Sequence, residues 1–151
     1  MSAYEGGCFC GAVRYKIELE MPKEEARSSM CHCGNCKRFT GGPYGITIRV
    51  PISFLTYTAG TDPSGSCASP DSLLKTHVGL NGVTRWFCRT CGSGIAEVGK
   101  DAKDKQRYVF AGTLDDPEAD IAKPKGEFFT KHRASWLAPV EGTFQKKEIK
   151  E

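Results

Sequence analysis

Apolar and polar residues alternate most regularly in two stretches of the chain. Over residues 12–19, Val13, Tyr15, Ile17 and Leu19 share one face, and Arg14, Lys16 and Glu18 share the other. A period of two predicts a half-buried strand. Residues 44–50 repeat the pattern, with Tyr44, Ile46, Ile48 and Val50 expected inward and Thr47 and Arg49 outward. Residues 73–80 and 83–88 read as two more strands joined by Asn81-Gly82. Both residues of that pair tolerate positive φ, so a hairpin turning on them is predicted. Residues 107–111 predict another strand, and a later one includes Phe128 and Phe129. Helical pattern is scarce: a short helix after Cys36, and a helical turn or two over residues 115–121, opened by Asp-Asp-Pro. Residues 58–72, rich in Gly, Pro, Ser and Asp, read as a long loop. The whole predicts a mainly β domain of short antiparallel strands with one or two short helices.

Composition narrows this picture. A chain of 151 residues suits one domain, assigned to 1–144, with a flexible tail over 145–151 where Lys146-Lys147-Glu148-Ile149-Lys150-Glu151 stands. Seventeen glycines and eight prolines favour turns over long helices. The net charge is +3 and the basic residues are scattered, so no nucleic-acid partner is expected. No apolar run approaches the ~20 residues that span a bilayer, so no membrane partner is expected either. The first residues lack a basic patch followed by an apolar stretch, which points to the cytoplasm. The oligomeric state is left open.

Eight cysteines are many for this length. In a reducing compartment that density points to metal or redox chemistry rather than disulfides. Seven fall in clusters: Cys8-Phe9-Cys10, Cys31-His32-Cys33-Gly34-Asn35-Cys36 and Cys88-Arg89-Thr90-Cys91-Gly92. The last has the spacing of a zinc knuckle, with Gly92 allowing the tight turn beyond it. In extended backbone the doublet cysteines point together, while Phe9 and His32 point away. Seven ligands divide as four plus three. Four cysteines close a tetrahedron; three leave a position for water or substrate, unless His77, His132, Cys67 or an acidic side chain fills it. A single zinc with the remaining cysteines reduced and buried is the plainer alternative. Spacing does not say which doublet joins the knuckle.

The order Gly6-Gly7-Cys8-Phe9-Cys10-Gly11, then the Cys31–Cys36 cluster, then Phe87-Cys88-Arg89-Thr90-Cys91-Gly92-Ser93 resembles the glutathione-dependent formaldehyde-activating enzyme family. That family is also grouped with the centromere protein V type proteins and has the Mss4-like fold. The resemblance continues through Gly112-Thr113-Leu114-Asp115-Asp116-Pro117 to Ser135-Trp136. It implies that Cys8, Cys10, Cys88 and Cys91 hold a structural zinc, and that Cys31, Cys33 and Cys36 hold a second, catalytic-type zinc. The implied reaction is that of a carbon–sulfur lyase joining glutathione and formaldehyde, with Lys37 and Arg38 available to the substrate's carboxylates. Many members carry a His-Ile pair where Glu127-Phe128 stands here, and His132 lies nearby but off that position. Two other classes remain in view: a zinc-stabilised interaction module without activity, and a redox enzyme using Cys67.

Overall fold

The computed structural model describes residues 1–149. In chain order its strands are β1 (Ser2–Gly7), β2 (Arg14–Leu19), β3 (Arg27–Cys31), β4 (Gly45–Pro51), β5 (Leu55–Ala59) and β6 (Leu74–Val78). They continue with β7 (Thr84–Cys88), β8 (Gly94–Val98), β9 (Gln106–Phe110), β10 (Gly126–Phe128) and β11 (Phe144–Gln145). Two short α-helices, α1 (Pro22–Glu25) and α2 (Gly34–Thr40), lie on either side of β3. One sheet has the order β1-β2-β5 and the other β11-β10-β3-β4-β9-β8-β7-β6. Pairing is antiparallel except on the two sides of β10, which runs parallel to β3 and β11. The expectation of a mainly β, antiparallel domain with one or two short helices is met. No helix is long and apolar enough to cross a membrane.

The alternation in β2 does what its period demands. Tyr15, Ile17 and Leu19 are sealed in one core with Ile48 and Val50 of β4, Leu74 of β6, Ile95 and Val98 of β8, and Val109 of β9. Burial of each aliphatic side chain contributes about 1.5–3 kcal/mol, so the two sheets close over a substantial apolar layer. One polar bond is buried with it. Thr113 Oγ1 donates to the Phe110 carbonyl at 2.7 Å, so the Tyr15 hydroxyl, also 2.7 Å away, must be the donor to Thr113. Tyr15→Phe is expected to lower stability by about 1 kcal/mol, read as a lower urea midpoint at unchanged slope. An unchanged midpoint would show that this bond contributes nothing.

Several sequence expectations are corrected by the tertiary pairing. The hairpin turn is a three-residue loop over 80–82, with Gly79 bonded to Val83 and only Gly82 at positive φ, 78°. A turn of this length ends in a left-handed glycine rather than using two left-handed residues. In β4, Ile48 and Val50 are buried, but Ile46, like Tyr44 just before the strand, is only half-buried, as are Thr47 and Arg49. Residues 115–121 form successive tight turns instead of helix; Asp116 Oδ1 accepts from the Glu118 amide, competing with a helical bond. Phe129 leaves β10 with φ 54°, the one left-handed non-glycine among the described residues. The paired backbone also runs past 144: Lys146 donates to the Glu127 carbonyl and accepts from Thr130. Residues 150 and 151 of the expected tail lie outside the described residues.

Candidate functional site

The first cluster forms where two turns meet. After β1 the chain bends through residues 8–11, with the Gly11 amide on the Cys8 carbonyl at 3.0 Å and Gly11 at φ 79°. The doublet is therefore brought together by a turn, not by the strand alternation inferred from its spacing. The second turn follows β7, where the Gly92 amide closes on the Cys88 carbonyl at 2.8 Å with φ 76°. All four sulfurs of Cys8, Cys10, Cys88 and Cys91 lie within 4.8 Å of one another. Cys10 Sγ is 3.6 Å from Cys8 Sγ and 3.8 Å from Cys88 Sγ. Zinc–thiolate bonds of about 2.3 Å place tetrahedral sulfurs about 3.8 Å apart, so the spacing fits such an ion. The Val13 amide donates to Cys8 Sγ at 3.2 Å, which suits a thiolate ligand.

The second cluster joins Cys31, Cys33 and Cys36, again within 4.8 Å, and no further His, Cys, Asp or Glu among the described residues joins it. His77, His132 and Cys67 are thus not brought to it. Cys31 ends β3, and Cys33 caps α2, its sulfur accepting from the Cys36 amide at 3.4 Å. Hydrogen bonds from Cys31 and Cys36, joined by the Cys36 and Asn35 amides, pull the Cys33 thiol down to about 2. The same charge, through the hydrogen bond with Cys33, pushes Cys31 up to about 11, and Cys36 is pushed up too. Three thiolates this close cannot ionise together unless a cation lies among them. The donor set therefore fits a metal ion.

His32 points away from the three sulfurs, as parity requires. It is fully buried, with Nε2 2.7 Å from Glu127 Oε1. Burial alone would raise the Glu127 carboxyl, but hydrogen bonds from Gln145, the Val140 amide and His32, with the Arg133 charge, outweigh it and hold the group at about 2. Nothing in the spacing marked this cluster; His32 lies 95 residues from Glu127, and the other partners come from Arg133, Val140 and Gln145.

A cavity of about 440 Å³ is lined in part by residues that follow each cluster in the chain. Phe39 and Thr40 of α2, Tyr44 and Gly45 line one side, and Gly92 to Gly94, which follow Cys91, line the other. Phe39 stacks on Phe110 at 5.6 Å between centroids. Gly45 pairs with Cys31, and a Cβ there would lie 3.5 Å from Cys36 Cβ, so the cavity wall is backed by the triad. No charged residue lines it. Lys37 and Arg38 stand outside: the Lys37 ammonium is bound to the His132 carbonyl, and Arg38 is exposed. Cys67 lies in the loop before β6, apart from both clusters.

The sequence matches the model of the glutathione-dependent formaldehyde-activating enzyme family over residues 3–132. An uncharacterized lyase of Schizosaccharomyces pombe is 28% identical over 95 residues, 63% of this chain and 57% of that protein. The chain thus spans little more than half the length of the curated relative it matches. A crystal structure of a Rhodobacter sphaeroides protein superposes with a TM-score of 0.56 at 24% identity, over 80% of this chain and 96% of that one. That likeness concerns the fold. With both cysteine clusters inside the matched span, the chain belongs to the glutathione-dependent formaldehyde-activating enzyme family.

Proposed function

We propose that the chain is a zinc-dependent enzyme of the carbon–sulfur lyase type, acting on the adduct of a small thiol, glutathione, with an aldehyde such as formaldehyde. The observation that carries this reading is the inequality of the two clusters. Four sulfurs complete one tetrahedron, whereas three leave a coordination position for a substrate sulfur. Zinc in the three-sulfur site supplies the positive charge that keeps a thiol ionised at neutral pH. Cys31, Cys33 and Cys36 hold that ion and set its electron-rich character. Cys8, Cys10, Cys88 and Cys91 hold the structural ion. Lys37 and Arg38, in the last turn of α2, follow Cys36 directly in the chain and would supply the positive charge that meets the carboxylates of glutathione. The neutral cavity beside the triad accommodates the carbon end of the adduct.

In the synthetic direction a bond forms between the thiolate sulfur and the aldehyde carbon, and the aldehyde oxygen takes up the proton that the thiol gave up. In the lyase direction the carbon–sulfur bond breaks, its electron pair returns to sulfur, and the hydroxyl proton is lost. A reducing cytoplasm suits both glutathione and eight unpaired thiols.

The test uses the full chain loaded with cobalt(II). Adding glutathione is expected to change the thiolate-to-cobalt absorption of one of the two ions. Exchange between glutathione and its hydroxymethyl adduct, followed by exchange NMR, is expected to exceed the spontaneous rate by at least about tenfold. Unchanged absorption together with an unchanged rate would leave the interaction-module reading in its place.

A further inference from the structure

We propose that Glu127 is the positioning residue of the three-sulfur site: its buried carboxylate fixes His32, and through His32 the arrangement of Cys31 and Cys33. The inference rests on the reading of that cluster as a metal site. It adds a residue that neither the spacing nor the family resemblance supplies, at a place where many family members carry histidine.

Glu127 and His32 are both sealed from solvent, each at 0% exposure. A carboxylate placed there must be matched on both oxygens, and it is. Oε1 meets His32 Nε2 at 2.7 Å and Arg133 Nη2 at 3.3 Å. Oε2 accepts from the Val140 amide at 2.8 Å and from Gln145 Nε2 at 2.7 Å, while the Thr143 hydroxyl gives its one proton to the Val140 carbonyl at 2.6 Å. The site demands an acceptor on both sides, because it is surrounded by groups that donate. Since Nε2 faces a carboxylate it carries the ring proton, and Nδ1 is buried with no hydrogen-bond partner among the described residues.

The backbone carries the same message. Glu127 pairs with Met30 and Phe128 with Cys31, and the Phe128 carbonyl accepts from the His32 amide at 3.1 Å. His32 is thus held at its main chain by residue 128 and at its ring by residue 127. It stands between two of the three sulfurs in the chain. In an extended segment its ring projects opposite to theirs, so a ring anchored on Glu127 adds a second point of attachment that fixes how the Cys31–Cys33 backbone faces. The left-handed Phe129 then sends the chain back over α2, where the His132 carbonyl takes the Lys37 ammonium. Residues 127–133 therefore brace both ends of the three-cysteine segment. The bonds from the Val140 amide and from Gln145 couple that brace to residues 140–145, which end in β11.

Such outer partners tune metal affinity by about 10–100-fold in other proteins. The four-sulfur site in the same chain is an internal control, since the hydrogen bonds and ion pair of Glu127 go to His32, Arg133, Val140 and Gln145 and to none of its cysteines. In competition with a chromophoric chelator, Glu127→Gln, which turns one acceptor into a donor, is expected to weaken zinc at the three-sulfur site by about 10–100-fold. Zinc at the four-sulfur site should be unmoved. The cobalt(II) absorption of the weakened site should shift as well, and kcat should fall with KM for glutathione nearly unchanged. His32→Leu should reproduce the defect, and His32→Gln, which keeps a donor toward Glu127, should largely restore binding. Equal weakening of both sites, or full affinity at the three-sulfur site in Glu127→Gln, overturns the proposal. If Glu127→Gln does not fold, His32→Leu decides in the same way. A wild-type chain that binds one ion removes the two-site reading and this proposal with it. Two ions with normal affinities in the variants remove the proposal alone.

Discussion

Cys88→Ser is expected to abolish cooperative folding. Cys88 is fully buried at the end of β7, and its sulfur meets Cys10 Sγ across 78 residues of chain. The four-sulfur cluster joins the turn between β1 and β2 to the turn between β7 and β8, so it fastens the three-stranded sheet to the eight-stranded one. Structural zinc in small finger domains contributes about 10–16 kcal/mol at neutral pH. The net stability of a domain is about 5–15 kcal/mol, so losing one thiolate from the closed site can remove all of it. The measurement is a urea titration followed by near-ultraviolet circular dichroism. A transition in Cys88→Ser with the wild-type midpoint would sink the structural role. Cys67→Ser, outside both clusters, is the control and should stay within about 0.5 kcal/mol of wild type. Acid should act in the same direction as Cys88→Ser. As metal ligands these cysteines would bind as thiolates, so protons would compete with the ion, and the contribution would be complete at neutral pH and lost as pH falls.

Cys33→Ser should behave in the opposite way, with a folded chain and no activity. Cys33 accepts the Cys36 amide at the start of α2, and serine is a good helix cap, so the local structure survives the exchange. The hydroxyl is a far poorer zinc ligand than the thiolate that the triad favours at this position. Metal content is expected to fall from two ions per chain to one, with the urea transition retained. The adduct exchange should fall back to the spontaneous rate, a loss of at least about tenfold, or about 1.4 kcal/mol. An unfolded chain without metal would mean that the two clusters do not divide the work as proposed. Two ions retained with full activity would remove Cys33 from the site.

Some of this was legible from the chain alone. The period of two over β2 marked its buried face residue by residue, because that strand has one face to the core and one toward solvent. Asn81-Gly82 marked the hairpin, since a left-handed position demands such a residue, although the loop takes one residue more than expected. The cysteine clusters and the direction of His32 followed from short-range geometry.

Other features were decided only by tertiary structure. β1, β3, β5, β8 and β11 went unread: Ser-Ala-Tyr-Glu-Gly-Gly and Arg-Ser-Ser-Met-Cys carry no alternation, and they are strands because neighbours supply their hydrogen bonds. Buried Ser28 shows why, since its hydroxyl is satisfied by the Ala122 carbonyl, 94 residues away. The Cys8-Cys10 doublet meets the knuckle across the interior, and short-range spacing cannot specify which distant turns touch. The Glu127 cluster is the extreme case. A buried carboxylate is stable only when every donor around it is in place, and those donors come from three separate parts of the chain. The chain by itself determined which residues could bind metal and which face of β2 is apolar. The fold decided which sulfurs come together, that three of them have no fourth His, Cys, Asp or Glu beside them among the described residues, and which groups surround His32. Those are long-range pairings, and only closure of the two sheets makes them.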